Sequence, residues 1–253
     1  MKVGVCVKRV PETGARITLT SDDQAIDTSL LGFTISPHEE CAVEEALRIA
    51  ERHGGSTTVL TLGPAAASEQ LKNAMAMGIA SAVLLETDGG DWSAEATAAA
   101  LAEAMRAQPE PFDLLLFGNE AADSGDYQVG VRVAHTLGLP CVTGIKGIEI
   151  DDGRLTARRE AGGGWEIFEL PLPAVVTVKE GINLPRYASI QGRLRAKKTP
   201  IERIQPQPRA SALETIRLVV PPEHETHVEV LGAGADAAQR VVAVFRELGL
   251  VGL

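Results

Sequence analysis

Aromatic residues are scarce, at 4% of 253 residues (Trp 2, Tyr 2, Phe 5). A core that large must therefore be built from Val, Leu, Ile and Ala, which suits parallel-sheet α/β architecture better than a β-sandwich. There are three cysteines, Cys6, Cys41 and Cys141, isolated and without metal-ligand spacing, so reduced thiols in a cytoplasmic protein are expected. The five histidines show no H-x-x-x-H pairing, and no metal site is expected. No apolar run approaches the roughly 18 residues of a membrane span, so the chain is not expected to be membrane-embedded. The opening MKVGVCVKRV enters an alternating strand directly, and no signal peptide is expected. Walker A, a G-x-G-x-x-G after a strand, G-x-S-x-G and a plausible Cys/His pair are all missing, so the familiar phosphate and nucleophile signatures do not apply and no catalytic residue is assigned. Net charge is −10, which argues against nucleic-acid binding.

What is present is alternation of strands and helices. Lys2 to Val10 reads as a first strand, followed by a polar excursion to residue 36 with room for a short hairpin. Ser36-Pro37 opens a helix that Gly54-Gly55 ends, with Glu39 and Glu40 in its first turn. Strands are expected at Thr57–Leu62, Ser81–Glu86, Leu114–Gly118 and Ala174–Val178. Helices are expected at Ser68–Met77, at 94–107 after a Ser93 cap, and at Gln128–Leu137. Residues 141–151, 154–160 and 165–170 alternate around Asp152-Gly153 and Gly162-Gly163-Gly164, an antiparallel meander. The fold class expected is α/β: a Rossmann-like, mostly parallel sheet flanked by helices, with an antiparallel meander and a C-terminal arm. Residues 1–180 form the core and 181–205 a long loop without clear periodicity. Residues 206–253 form the arm, which carries one amphipathic helix at 237–248.

Ligands of such sheets sit outside the carboxyl ends of the strands. Three loops lie there: after Val10, at Gly63-Pro64, and from Gly118 to Gln128. The last is rich in Gly and small side chains and leads into a helix, whose free amides favour an anion, while Asp123 and Asp126 would repel one. It is either a phosphate-binding loop or an ordinary capping loop. Cys6 is a core thiol or a ligand neighbour, and His38 a surface or ligand-facing residue. Glu39-Glu40 and Glu44-Glu45 read as solvated helix charges rather than acid/base pairs. From Arg186 to Arg203 six basic residues stand against one acid, a net +5 that leaves −15 on the rest. With Tyr187, Ile190 and Leu194 interspersed, this segment is either a basic linker or a docking surface for an acidic protein.

Five stretches together resemble the electron-transfer flavoprotein beta subunit: VCVKRVPETG (5–14), SPHEECAVEEALRI (36–49), TLGP (61–64) with AMAMGIA (74–80), the 118–130 loop, and ELPLPAVVTVKEGINLPRYASIQGRLRAKKTPIE (169–202). The last is the most specific, and the tail beyond 205 matches weakly. The resemblance implies a heterodimer with an alpha subunit that binds the redox FAD, while this chain holds a structural AMP. It implies cofactor-binding positions at Cys6, Ser36, Pro37, His38, Glu39, Leu62, Ala122, Asp123, Ser124, Gly125, Asp126, Tyr127, Gln128, Val129, Gly130, Val131, Arg132 and Val133. It further implies a partner-recognition loop carrying Asn183, Pro185, Arg186, Tyr187, Ile190, Arg195, Lys197 and Lys198, with Ile190 where the family has an anchoring leucine. Dehydrogenases of the acyl-CoA class would donate electrons, which would pass to a quinone reductase; the C-terminal arm would pack on the alpha subunit. An electron carrier subunit is thus expected rather than an enzyme. The sequence departs from the family pattern at Ser36 and His38 (Asn and Phe in N-P-F), at Ser124-Gly125 (an acidic pair in many members), at Gly162 (Asp), and at Val129, where a phosphate-holding threonine hydroxyl is missing. Gln128-Val129-Gly130 resembles members whose beta subunit holds a second FAD and bifurcates electrons from NADH. That is the alternative, in which FAD replaces AMP in this chain. A stand-alone nucleotide-sensing domain is a third reading.

Overall fold

Side-chain alternation along each strand divides the core of this computed structural model into two layers of apolar contact. The structure describes residues 1–90, 92–208, 215–222 and 228–251. In β1 (Lys2–Cys6), Val3 and Val5 belong to one cluster and Cys6 to the other. The same split recurs in β4 (Ser56–Gly63), with Val59 opposite Leu60, and in β5 (Ser81–Glu86), with Leu84 opposite Val83 and Leu85. It recurs again in β6 (Leu114–Gly118), with Leu114 and Leu116 opposite Leu115 and Phe117, and in β10 (Ala174–Val178), with Val176 opposite Val175. Strands buried on both faces read as continuous apolar runs, which is why the last four of these were legible, while β1 was read from its alternation. Helices α1 (Pro37–His53) and α2 (Ser68–Met77) cover the first face. Helices α3 (Ala94–Arg106) and α4 (Val129–Leu137) cover the second.

The remaining strands are β2 (Val10–Pro11), β3 (Phe33–Thr34), β7 (Cys141–Asp151), β8 (Arg154–Ala161), β9 (Gly164–Pro171) and β11 (Glu202–Ile204). Nine strands form one sheet in the order β11-β5-β4-β1-β6-β10-β7-β8-β9. Neighbours are parallel from β11 through β7, and β7, β8 and β9 are antiparallel. The α/β class and the meander are thereby as expected. β2 and β3 pair separately as a short antiparallel ribbon, so the first strand ends at Cys6 and Val10 pairs with Thr34 instead.

Two further sequence expectations need correction. The stretch from 181 to 208 is not structureless: it holds α5 (Ile190–Lys198) and then β11, which extends the sheet beside β5. The helix carries no apolar periodicity because its buried side is made of Gly192 and Ala196 rather than large apolar residues. A Cβ at Gly192 would lie 2.2 Å from the Ala76 carbonyl oxygen, so contact there is backbone against backbone. The second correction concerns the acidic residues of α1. Glu39, Glu44 and Glu45 are buried, not solvated, because each holds a segment from elsewhere in the chain.

The chain divides into two units, Met1–Arg217 and Leu218–Leu253. The second carries a 3-10 turn (Gly234–Ala237) and α6 (Ala238–Glu247), one residue from the sequence-predicted boundaries. Residues 209–214, 223–227 and 252–253 of the expected arm lie outside the described residues.

Leu116, fully buried in the central strand, should cost about 2–5 kcal/mol of unfolding free energy on change to Ala. Leu194→Ala on the exposed face of α5 should cost less than about 0.5 kcal/mol. Urea titration of both variants checks the contrast.

Candidate functional site

The chain leaves β1, builds β4 and β5 on one side, and returns across the sheet to β6 on the other. Such a reversal opens a crevice at the carboxyl ends of the strands. Here it is a cavity of about 390 Å³, lined by Cys6–Arg9 after β1, Leu62–Pro64 after β4, Phe117–Ala121 after β6, and the start of α4. That volume is within the range of small-molecule sites.

Two glycines shape it. A Cβ on Gly118 would lie 2.6 Å from Glu39 Cγ, so the end of β6 can lie against α1 only without a side chain. A Cβ on Gly130 would lie 3.0 Å from Thr177 Cγ2 and 3.2 Å from Phe117 Cγ, and its absence lets the first turn of α4 settle onto the sheet. The unpaired amides of that turn are then delivered to the cavity edge, where they and the helix dipole favour an anion.

Glu39 ties three segments together. Its carboxyl group accepts from the Lys8 amide (3.0 Å) and the Ser36 amide (3.1 Å), the second being half of a capping box. Burial pushes its pKa up to about 8, against the opposing pull of the Lys8 and Ser36 bonds. Across the mouth, Lys8 Nζ meets Asp123 at 2.7 Å. Thr177 donates to Asn119 Oδ1 (2.9 Å) and accepts from the Gly144 amide (2.9 Å), which fixes the Asn119 amide at the end of β6. His38 Nδ1 accepts from the Glu180 amide (2.8 Å). The ring proton is thereby assigned to Nε2, 3.1 Å from Glu120 Oε1. Hydrogen bonds from Tyr127 and then His38 hold the Glu120 carboxyl below the usual carboxylate range. Tyr127 itself sits at φ 57°, which turns the chain into α4.

Arg9 stacks over the Phe33 ring, 3.2 Å from its centroid, and its Nε is buried without a hydrogen-bond partner among the described residues. Burial lowers its pKa, against the pull of Glu69. A buried donor without an acceptor is unfavourable by roughly 1–3 kcal/mol unless something accepts from it. The orphaned donor, the glycine-shaped cavity and the helix terminus together fit an anionic, nucleotide-sized ligand.

Of the expected cofactor positions, Cys6, Glu39, Leu62, Ser124, Asp126, Tyr127, Gln128, Val129 and Gly130 line the cavity. Ser36, Pro37 and His38 stand behind it at the start of α1, with Ser36 Oγ donating to the Glu120 carbonyl (3.3 Å). Ala122, Asp123 and Gly125 belong to the loop without lining it. Val131, Arg132 and Val133 lie further along α4, where Val133 joins the core and Arg132 donates to Gln128 Oε1 (3.0 Å). Arg9, Trp92 and Thr177 line the cavity but were not singled out from sequence. Arg9 lay inside the strand expected over Lys2 to Val10, and only the structure, which ends that strand at Cys6, brings it to the cavity.

The residues expected to meet partners divide into two groups. Asn183 and Arg186 are half-buried and face inward, while Arg195 is exposed and turns one guanidinium nitrogen back to the core. Asn183 Nδ2 donates to the Cys41 carbonyl (3.0 Å) and Glu45 Oε2 (2.9 Å). Arg186 binds Glu44 (2.8 Å) and Glu51 (2.5 Å). Arg195 reaches the Met75 carbonyl (3.4 Å). Facing outward are Tyr187, 99% exposed, Ile190, 79% exposed, and Lys197 and Lys198, with Pro185 half-buried between the groups. Among the described residues, no helix is long and apolar enough to cross a membrane.

Fold and crevice together define a doubly wound α/β protein with a cavity at its switch point. The Electron transfer flavoprotein domain family matches residues 25–208. The electron transfer flavoprotein subunit beta of Bacillus subtilis is 34% identical over 97% of this chain and 98% of its own length. The subunit of the same name from Syntrophomonas wolfei is 35% identical over 91% of this chain and 90% of its own. That of Mycobacterium bovis is 38% identical over 78% and 76%. The chain belongs to the electron transfer flavoprotein beta-subunit family.

Glu39 makes stability fall with rising pH. Between the unfolded carboxyl range near 4.3 and the folded value of about 8, the native state holds a proton that the unfolded chain has released. Unfolding free energy should therefore drop through that window by up to about 1.4 kcal/mol per pH unit from this group. Denaturant titrations of the wild type and Glu39→Gln from pH 5 to 8 test this; the variant should lose that part of the slope.

Proposed function

We propose that this chain is the nucleotide-holding subunit of a heterodimeric electron carrier. It joins an alpha subunit that binds most of the redox FAD and holds AMP in its own switch-point cavity. It helps accept electrons from dehydrogenases of the acyl-CoA class and pass them towards a quinone reductase. In this reading 1–180 is the nucleotide-binding core, 181–205 the partner-recognition segment and 206–253 an arm on the alpha subunit. The observation that carries the reading is the cavity itself: a glycine-shaped crevice with an unpartnered Arg9 donor at the switch point of a beta-subunit family fold.

FAD, when bound by the alpha subunit, supplies the reversible electron acceptor. The residues of this chain bind and position. The amides opening α4 and the Arg9 guanidinium suit the phosphate, while Leu62, Phe117 and the Cys6 thiol offer an apolar floor for a base. Glu39, being protonated below about pH 8, adds little repulsion towards an anionic ligand. Outside, Leu184, Tyr187, Ile190 and Leu194 are exposed along the same segment as Arg193, Lys197 and Lys198, which suits an acidic partner with an apolar pocket. The three cysteines are free, which supports a reducing, cytoplasmic location.

The second reading, a bifurcating flavoprotein with a second FAD oxidising NADH in this subunit, is favoured by Val129, which lines the cavity without a hydroxyl for a terminal phosphate. Denaturing the purified heterodimer and identifying the released nucleotides decides between them: one FAD and one AMP for the first reading, two FAD for the second. A solitary chain releasing neither overturns both. Truncating the exposed anchor, Ile190→Ala, should weaken docking by more than about 2 kcal/mol, read as a KM for the flavoprotein raised at least 30-fold with its dehydrogenase. An unchanged KM with every dehydrogenase removes the docking assignment.

A further inference from the structure

The basic segment is moored to two helices, and its exposed face is fixed between the moorings. On α1, Glu44 is 2% exposed and lies between Arg48 Nε (2.7 Å) and the Arg186 fork (2.8 and 3.1 Å), while Arg48 also donates to the Leu184 carbonyl (3.4 Å). Burial acts to raise the Glu44 carboxyl, but the bonds from Arg186 and Arg48 outweigh it and hold it below its ordinary value. Asn183 adds its two bonds to the same helix.

On α2, the mooring is Lys72. Its ammonium donates to the Ala196 carbonyl (2.6 Å) and the Thr199 carbonyl (2.5 Å), at the end of α5 where backbone carbonyls have no partner within the helix. A cation there also complements the negative end of the helix dipole. The Gly192 backbone lies directly on the Ala76 carbonyl, and Ala196 is buried beside it. Gly192 and Ala196 are four residues apart and share the inward face. Ile190 and Leu194, also four apart, share an outward one.

We infer that Lys72 is a positioning residue for docking: from α2 it clamps the end of α5 and holds Ile190 and Leu194 in the arrangement the dehydrogenase meets. This rests on the docking role proposed above for the segment. The clamp makes the surface preorganised, so association orders few of its side chains and the encounter loses less entropy. Lys72 lies at the base of α5, away from the exposed anchor residues, so composition of the patch alone would not reveal it.

The test uses the purified heterodimer with an acyl-CoA dehydrogenase reduced by its acyl-CoA. Lys72→Met keeps the side-chain length and removes the donors. It should raise the KM for the flavoprotein about tenfold, the scale of immobilising one or two side chains on binding, with kcat and bound nucleotide unchanged. Lys72→Arg, which can still donate to two carbonyls, should recover most of the loss. If Ile190→Ala raises KM and Lys72→Met does not, the inference is wrong while the docking surface stands. If neither changes KM, the docking reading falls and takes this inference with it. Hydrogen exchange on the free wild-type heterodimer is an independent check. Amides of α5 should be protected, and exchange at the unfolded-chain rate overturns the clamp whatever the variants do.

Discussion

The cleft depends on one close approach, that of the Gly118 backbone to the Glu39 side chain. Space for a side chain at 118 would separate β6 from α1, and the Glu39 carboxyl would lose its position under the Lys8 and Ser36 amides. Those two bonds fix the turn after β1 and the entry to α1, while Gly118 starts the loop that leads to α4. Three walls of the cavity are therefore set by one glycine and one buried carboxyl group. A carboxyl stripped of water favours its protonated form, and here that preference places an uncharged acid at the foot of a crevice suited to anions.

Much of the sheet was legible because parallel strands buried on both faces leave apolar runs with Gly and Pro at their ends. Ser81–Glu86, Leu114–Gly118 and Ala174–Val178 agree with the observed strands residue for residue. The switch-point loops followed from topology alone. Less legible were features that depend on distant pairing. Glu44 and Glu45 have the sequence context of a solvated helix face, and only the fold brings Arg186 and Asn183 over them. Arg9 carries no motif. Helix α5 lacks an apolar stripe, since it is held through glycine, alanine and a lysine from another helix. In each case the missing information was a partner distant in the chain, from Phe33 under Arg9 to Arg186 over Glu44.

The same distinction separates the two halves of the basic segment. Composition suggested one positive surface, yet the structure ties Arg186 to the acids of α1 and Arg203 to Glu86, and leaves Arg193, Arg195, Lys197 and Lys198 exposed. Charge that looks uniform along the sequence has two uses: some of it binds the segment to the core, and the rest faces outward beside Ile190.

Helix α2 has a consequence of its own. It begins just beyond the Gly63-Pro64 wall of the cavity, and its later turns carry Lys72, Met75 and Ala76, on which α5 rests. Ten helical residues make a rod about 15 Å long. The Gly63-Pro64 wall and the seat of α5 are thus joined through α2 and the 3-10 turn Ala65–Ala67 that precedes it. The floor under the outward patch and one wall of the crevice therefore belong to one continuous stretch of chain, residues 63–77.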